Sequence, residues 1–170
     1  MFDAELRDEL LRRMDRDQAV RTAVPVGELL PPEIDEEWDC VEAGNTAFLK
    51  GVIAKRGWPG INMVGEEAAH AAWVLAQHAD ADPEFQRSCL PLLRAAVDAG
   101  QAKPSEWAYL IDRVRVAEGR LQVYGTQYWT QDGVLRPRPI EDPAGLDERR
   151  TEVGLAAQAD YDRTMRELYE

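Results

Sequence analysis

Proline and glycine divide this chain into short stretches of helical periodicity, and that punctuation limits the fold more than any other sequence feature. Phe2, Leu6, Leu10 and Met14 recur at helical spacing, with Leu11 beside them, and predict a charged amphipathic helix over 2–20. Pro25, Gly27, Pro31 and Pro32 then break the periodicity as a connector. Asp35 is placed to cap a helix over 36–56, whose buried residues are predicted to be Trp38, Val41, Phe48, Val52 and Ile53. Gly57-Trp58-Pro59-Gly60 ends it, and 61–65 reads as a loop or short extended stretch.

The punctuation continues to the C-terminus. A helix is predicted over 66–80, followed by Asp82-Pro83, an N-cap with proline at N1, which opens a helix to 99 that Gly100 stops. Pro104-Ser105 opens another to 118, ended by Gly119. Residues 120–130 change character, since Leu121, Val123, Tyr124, Tyr128 and Trp129 suit strands. Asp132-Gly133 predicts a hairpin turn, with the return strand starting at Val134-Leu135. A short helix from Asp142-Pro143 to Gly154 and a last charged helix from Ala157 to Leu168 complete the reading. The expected fold is mainly α, a compact multi-helix domain with one small β-hairpin in the C-terminal third. The expected organisation is a single globular domain over 1–170. Its N-terminal helix and Pro-rich connector (1–34) pack on a core of 35–155, and 156–170 form a C-terminal helix.

Composition narrows the function classes without naming one. The net charge of −12 opposes a phosphate backbone and an anionic membrane surface alike, so neither nucleic acid nor membrane is an expected partner. There is no run of about eighteen apolar residues to span a bilayer. The N-terminus puts Asp3, Glu5 and Asp8 where a secretion signal needs a basic and then an apolar start. Cys40 and Cys89 are the only cysteines, too few for a disulfide framework or a four-cysteine zinc site. The expectation is a cytoplasmic protein in a reducing compartment, with the terminal helices as a surface for a homodimer.

Residues 65–80 are the most unusual in the chain and hold both histidines. On a helix turning about 100° per residue, Glu66, His70, Trp73 and Gln77 form one stripe. Ala68, Ala72, Leu75 and Ala79 fall opposite, where small side chains let a neighbouring helix approach closely. The polar stripe supplies a titratable ring, an aromatic wall and an amide, the components of a pocket wall. The plainer alternative reads Glu66–His70 as an i,i+4 surface pair, Trp73 as core and His78 as a complement to the helix dipole. Metal chemistry would use Glu66 or Glu67 with His70, but the two histidines lie about 12 Å apart along the axis, too far to share one ion. No metal and no other cofactor is predicted.

Two further polar groups lie downstream. Tyr109, Asp112 and Arg113 point away from the apolar face of Trp107, Leu110, Ile111 and Val114. They read as a solvated helix face or as an arginine fork for a carboxylate or phosphate. Gln122, Tyr124, Thr126 and Gln127 surround Gly125 as a neutral hydrogen-bonding set, suited to a polar ligand or to water. No phosphate loop, dinucleotide fingerprint or serine nucleophile elbow is present. Cys89 sits at a helical core position and reads as packing.

Three blocks carry a resemblance. They are Gly57-Trp58-Pro59-Gly60 with Val64 through Trp73; Gln77-His78-Ala79-Asp80 with Asp82 through Gln86; and Tyr109 through Arg113 with Gln122 through Gln127. The tail from Pro139 through Arg150 fits as well. Over residues 48–155 the chain resembles an uncharacterised bacterial domain-of-unknown-function family. The resemblance brings no activity with it. It implies that the polar blocks are the family's hallmarks, with Gln77, His78, Asp112, Arg113, Tyr124 and Gln127 converging on one site.

The leading functional expectation is a small-molecule enzyme using histidine acid–base chemistry on a polar or anionic substrate, with bacterial specialised metabolism as the expected setting. His70 and His78 are the candidate acid–base groups, with Asp112 as their catalytic partner. Glu66, Trp73, Gln77, Arg113, Gln122, Tyr124 and Gln127 are the candidate substrate contacts. The rivals are a non-catalytic ligand- or protein-binding module and a metal-dependent enzyme built on Glu66, Glu67 and His70.

Overall fold

A computed structural model describes residues 2–24, 29 and 31–169. Pro25 and Gly27 of the predicted connector lie outside the described residues. The fold is mainly α with one small antiparallel hairpin in the C-terminal third, as the punctuation predicts. Chain contacts gather into two compact units, Met1–Ala102 and Lys103–Glu170.

The first unit contains α1 (Ala4–Arg21), α2 (Pro32–Arg56), the single turn α3 (Ile61–Val64), α4 (Glu66–Gln77) and α5 (Pro83–Asp98). Asp3 caps α1 by accepting from Leu6 N at 2.9 Å. α2 starts earlier than predicted, with Pro31 at the N-cap and Pro32 in the first turn. Proline's fixed φ suits that position and outcompetes Asp35, which becomes a first-turn acid. Residues 61–64 form a helical turn rather than a loop, because Val64 N and Gly65 N bond back to Gly60 O and Ile61 O. Asp82 caps α5 through Phe85 N at 3.0 Å, as its sequence position predicts.

α4 is the central element and packs on α1, α2, α3 and α5. Its alanines explain this. Ala68, Ala69, Ala71, Ala72 and Ala76 are all buried, so helix axes approach without large side chains between them. Larger residues fill the remaining space: Leu10 of α1, Leu49 of α2, Leu75 of α4 and Leu93 of α5 are fully buried. Burial of each contributes about 1.5–3 kcal/mol. Of the residues predicted to be buried on α2, Val41 and Val52 are, while Trp38, Phe48 and Ile53 are half-buried. Glu42, Asn45 and Thr46 also occupy buried positions of α2, beyond those that apolar spacing points to.

The second unit contains α6 (Pro104–Ala117), β1 (Tyr128–Gln131), β2 (Val134–Pro137), α7 (Leu146–Glu152) and α8 (Gln158–Tyr169). β1 pairs with β2 from Tyr128↔Pro137 to Gln131↔Val134. Asp132 and Gly133 sit at φ 53° and 75°, the two left-handed residues that a tight hairpin turn requires. The strand character predicted across 120–130 is confined to its end. Residues 122–127 form an irregular loop, tied to the chain beyond the hairpin by a parallel bridge from Gln122 to Ile140.

Candidate functional site

The site begins on α1. Asp17 lies on the same face as Leu6, Leu10 and Val20, so the packing that buries those residues also buries a carboxylate, to 3% exposure. A buried carboxylate needs partners, and α1 itself and the C-terminal end of α4 supply them. α4 ends at Gln77, earlier than predicted, which makes His78 its C-cap residue and directs the chain into the turn toward α5. The His78 ring meets Asp17 there, with Nδ1 2.5 Å from Oδ2. Arg21, one turn along α1, donates from Nε to the same Asp17 oxygen at 3.0 Å and from Nη2 to the His78 carbonyl at 3.4 Å.

α2 closes the set. Glu42 is buried and its Oε2 lies 3.6 Å from Arg21 Nη2, while its Oε1 accepts from Ala81 N at 2.7 Å. The Trp38 ring, one turn away on α2, is 4.3 Å from the Arg21 guanidinium and shields it by a cation–π contact. The turn that carries His78 is fastened further. Gln86 donates to the Gln77 carbonyl at 3.0 Å and to Asp80 at 3.2 Å, and Asp82 pairs with Lys50.

The electrostatics favour an ionised Asp17. Burial pushes its carboxyl up, but the His78 hydrogen bond and charge, together with Arg21, outweigh burial and hold it below the usual carboxylate range. An ionised carboxylate only accepts, so the neutral imidazole must carry its proton on Nδ1. That leaves Nε2 as the ring's acceptor, and the His78 side chain keeps 21% of its surface exposed. A buried carboxylate that holds one ring nitrogen of a partly exposed imidazole is an arrangement that can orient a histidine for proton transfer. Sequence reasoning singled out His78 but missed Asp17, Arg21, Glu42 and Trp38. The available signal was a carboxylate at an apolar-stripe position: Asp17 falls between Leu10 and Val20, and Glu42 beside Val41.

The other predicted residues of this unit sit along α4. Glu66 is exposed in its first turn. His70 and Trp73 are half-buried, with ring centroids 5.1 Å apart. Gln77 is buried, with a side-chain oxygen that has no hydrogen-bond partner among the described residues. Glu67 is exposed, and no group of three or more His, Cys, Asp or Glu side chains among the described residues is placed to hold a metal ion.

In the second unit the predicted polar residues build a loop. Asp112 is fully buried on α6, not solvated as its position opposite the apolar face suggests. Its carboxylate accepts from Val123 N at 2.7 Å, Tyr124 N at 3.1 Å, Thr126 N at 3.0 Å and Thr126 Oγ1 at 2.9 Å. The physical reason is that the irregular 122–127 segment has backbone N–H groups no strand satisfies, and a carboxylate beneath it satisfies them. Gln122 is equally occupied: its amide donates to the carbonyls of Gln127 and Arg138 at 3.1 and 2.6 Å and accepts from Gln127 N at 2.9 Å. The Gln127 side chain donates to Thr126 Oγ1 at 3.0 Å. Tyr124 is half-buried, edge-on to Trp107, and Arg113 is half-buried beside Asp112 in sequence.

Arg150 of α7 secures the same loop from the other side. It is fully buried, donates to the carbonyls of Tyr124 and Ala156 at 2.5 and 2.6 Å, and lies 5.0 Å from the Tyr161 ring. The Tyr128 hydroxyl accepts from Gln158 at 2.8 Å and donates to Asp162 at 3.2 Å. Burial raises the Tyr128 and Tyr161 hydroxyls well above the ordinary tyrosine value, with Asp162 adding to the first and Tyr109 to the second, so both remain protonated donors.

Among the described residues no helix is long and apolar enough to cross a membrane. No curated protein and no solved structure matches the chain. Residues 4–170, nearly the whole sequence, match a protein-family model, so the chain belongs to the family described as a family of unknown function, DUF6624.

Proposed function

We propose that this protein is a small-molecule enzyme that uses His78 as its proton-transferring group and Asp17 as the carboxylate that orients it. The observation that carries the reading is the 2.5 Å contact between His78 Nδ1 and a nearly fully buried, ionised Asp17. In this mechanism Nε2 takes a proton from a substrate group as it reacts. Asp17 stabilises the imidazolium that forms, and the proton returns to the leaving or product atom. Arg21 and Glu42 keep Asp17 in place, which makes them positioning residues rather than catalytic ones. His70 and Trp73, two turns and one turn back along α4, remain the candidates for a second titratable group and an aromatic wall. A polar or anionic substrate fits the proposal. Asp112, Gln122 and Gln127 act here by holding the 122–127 loop, to which their side chains hydrogen-bond.

The test has two readouts. Ring ¹⁵N shifts of His78 report which nitrogen carries the proton; the proposal expects Nδ1–H in the neutral ring and loss of that preference in Asp17→Asn. Incubation with mixtures of small polar and anionic metabolites, followed by mass spectrometry, reports turnover. We expect turnover by the wild type that falls at least about a hundredfold in His78→Gln, the range for a general acid–base group. Turnover untouched by His78→Gln, or a neutral ring protonated on Nε2, overturns the proposal.

A further inference from the structure

The first unit carries a cleft of about 230 Å³ between α1 and α2, and it belongs to no part of the acid–base proposal. Arg12, Arg13 and Arg16 line it from α1, and Cys40, Gly44 and Asn45 from α2. Among the described residues no carboxylate lines it, in a chain whose net charge is −12. Arg12 and Arg13 pair with Glu9, and Arg16 with Glu37 at 3.4 Å. Arg12 and Arg16 are mostly exposed, and such surface pairs hold a guanidinium only weakly, so both remain available to an anion.

Two further observations describe the lining of the cleft. Asn45 is 95% buried, its side-chain oxygen accepts from Arg13 Nη1 at 3.2 Å, and its amide nitrogen has no partner among the described residues. The Arg13 bond sets the amide's orientation, so the orphan is a buried donor rather than a group open to the cleft. Gly44 stands in the interior of α2, where glycine is unfavourable, yet a Cβ there would meet nothing within 4 Å. Packing does not require that glycine; its missing side chain leaves the floor of the cleft open. The thiol beside it is exposed, whereas Cys89 is fully buried and burial pushes its thiol up to about 12.

We propose that this cleft binds small anionic disulfides and directs them onto Cys40, making that thiol a site of mixed-disulfide formation. Guanidinium groups hold carboxylates of the incoming molecule. The Cys40 thiolate, its proton lost to solvent, attacks one sulfur of the disulfide. The S–S bond breaks, a new S–S bond forms to Cys40, and the other half leaves as a thiolate. Cys40 is oxidised and the departing half is reduced, so no further oxidant is needed. Oxidised glutathione has the required chemistry: a disulfide bearing several carboxylates.

The experiment compares two reagents on the intact protein at low salt. One is the dianionic disulfide 5,5′-dithiobis(2-nitrobenzoate), the other the neutral 4,4′-dithiodipyridine, each normalised to its rate with a free small thiol. Net charge alone predicts that the anionic reagent is disfavoured. The cleft predicts that it is favoured by about tenfold, that added salt removes the advantage, and that Arg12→Gln/Arg16→Gln abolishes it. Gly44→Leu should slow both reagents by filling the floor, and intact mass after oxidised glutathione should show one adduct, absent in Cys40→Ser. The salt dependence needs no variant, so a folding defect cannot obscure the result. An anionic preference that is absent in the wild type, insensitive to salt or retained in the double variant overturns the proposal, as does an adduct on Cys40→Ser. None of these outcomes bears on His78.

Discussion

Asp17 and Asp112 are both buried carboxylates facing irregular chain, and they differ in what they bond. Asp112 accepts from backbone N–H groups and a threonine hydroxyl of a loop 11 to 14 residues away. None of those donors titrates, so the carboxylate acts as a fixed fastener. Asp17 accepts from His78, 61 residues away, and from Arg21. One of its donors is an imidazole, whose ring nitrogens can give up and take back a proton. The first arrangement spends a charge on geometry. The second sets a buried charge against an imidazole that stays partly exposed, and for that reason the functional proposal rests on the first unit.

Variants of the two carboxylates test this contrast. The largest effect is expected for Asp112→Ala, which strands three backbone N–H groups and a hydroxyl. The cost is about 3–5 kcal/mol, the range for removing one partner of a buried charged network. Amide exchange at Val123, Tyr124 and Thr126 should lose its protection first. If those amides stay protected, the fastener role is wrong. Asp17→Asn is expected to cost less, about 1–3 kcal/mol at neutral pH, because an amide oxygen can still accept from one donor.

The same pair differs in its response to acid. Asp17 has a folded pKa below its unfolded value of about 3.9. Its stabilisation is therefore present above that value and is lost as pH falls through the lowered folded pKa. Denaturant titrations below about pH 4 should show the wild type converging on Asp17→Asn, and parallel curves would count against the ionised pairing. The smallest effect is expected at Gly125, inside the loop that Asp112 fastens. It sits at φ 67°, and a Cβ there would come within 2.5 Å of the Gln158 oxygen. Gly125→Ala should cost about 1–2 kcal/mol, read from the thermal midpoint, with His78 ring shifts unchanged. A shift at His78 would mean that the two networks are coupled.

Much of the architecture was legible in the residues, because its determinants are local. Asp82-Pro83 opens α5 and Asp132-Gly133 turns the hairpin, since a cap and a left-handed φ depend on neighbours within a few positions. The alanines of α4 announced a central helix. Where two local signals competed, at Pro32 against Asp35, the fixed φ of proline decided the start of α2. The site was only half legible. His78 stood out as one of two histidines, but Asp17 looked like one more charge on a charged helix.

The sequence by itself therefore determined where helices begin and end, where the hairpin turns, and which histidines were available for chemistry. These follow from backbone dihedral limits and side-chain reach over a few residues. Only the tertiary structure decided which carboxylate meets which donor. Asp17 reaches His78 because α1 packs on α4, and Asp112 meets Thr126 because the 122–127 loop folds back over α6. Burial converts those meetings from solvated charges into partnerships, since a charge removed from water must find its partner inside the protein.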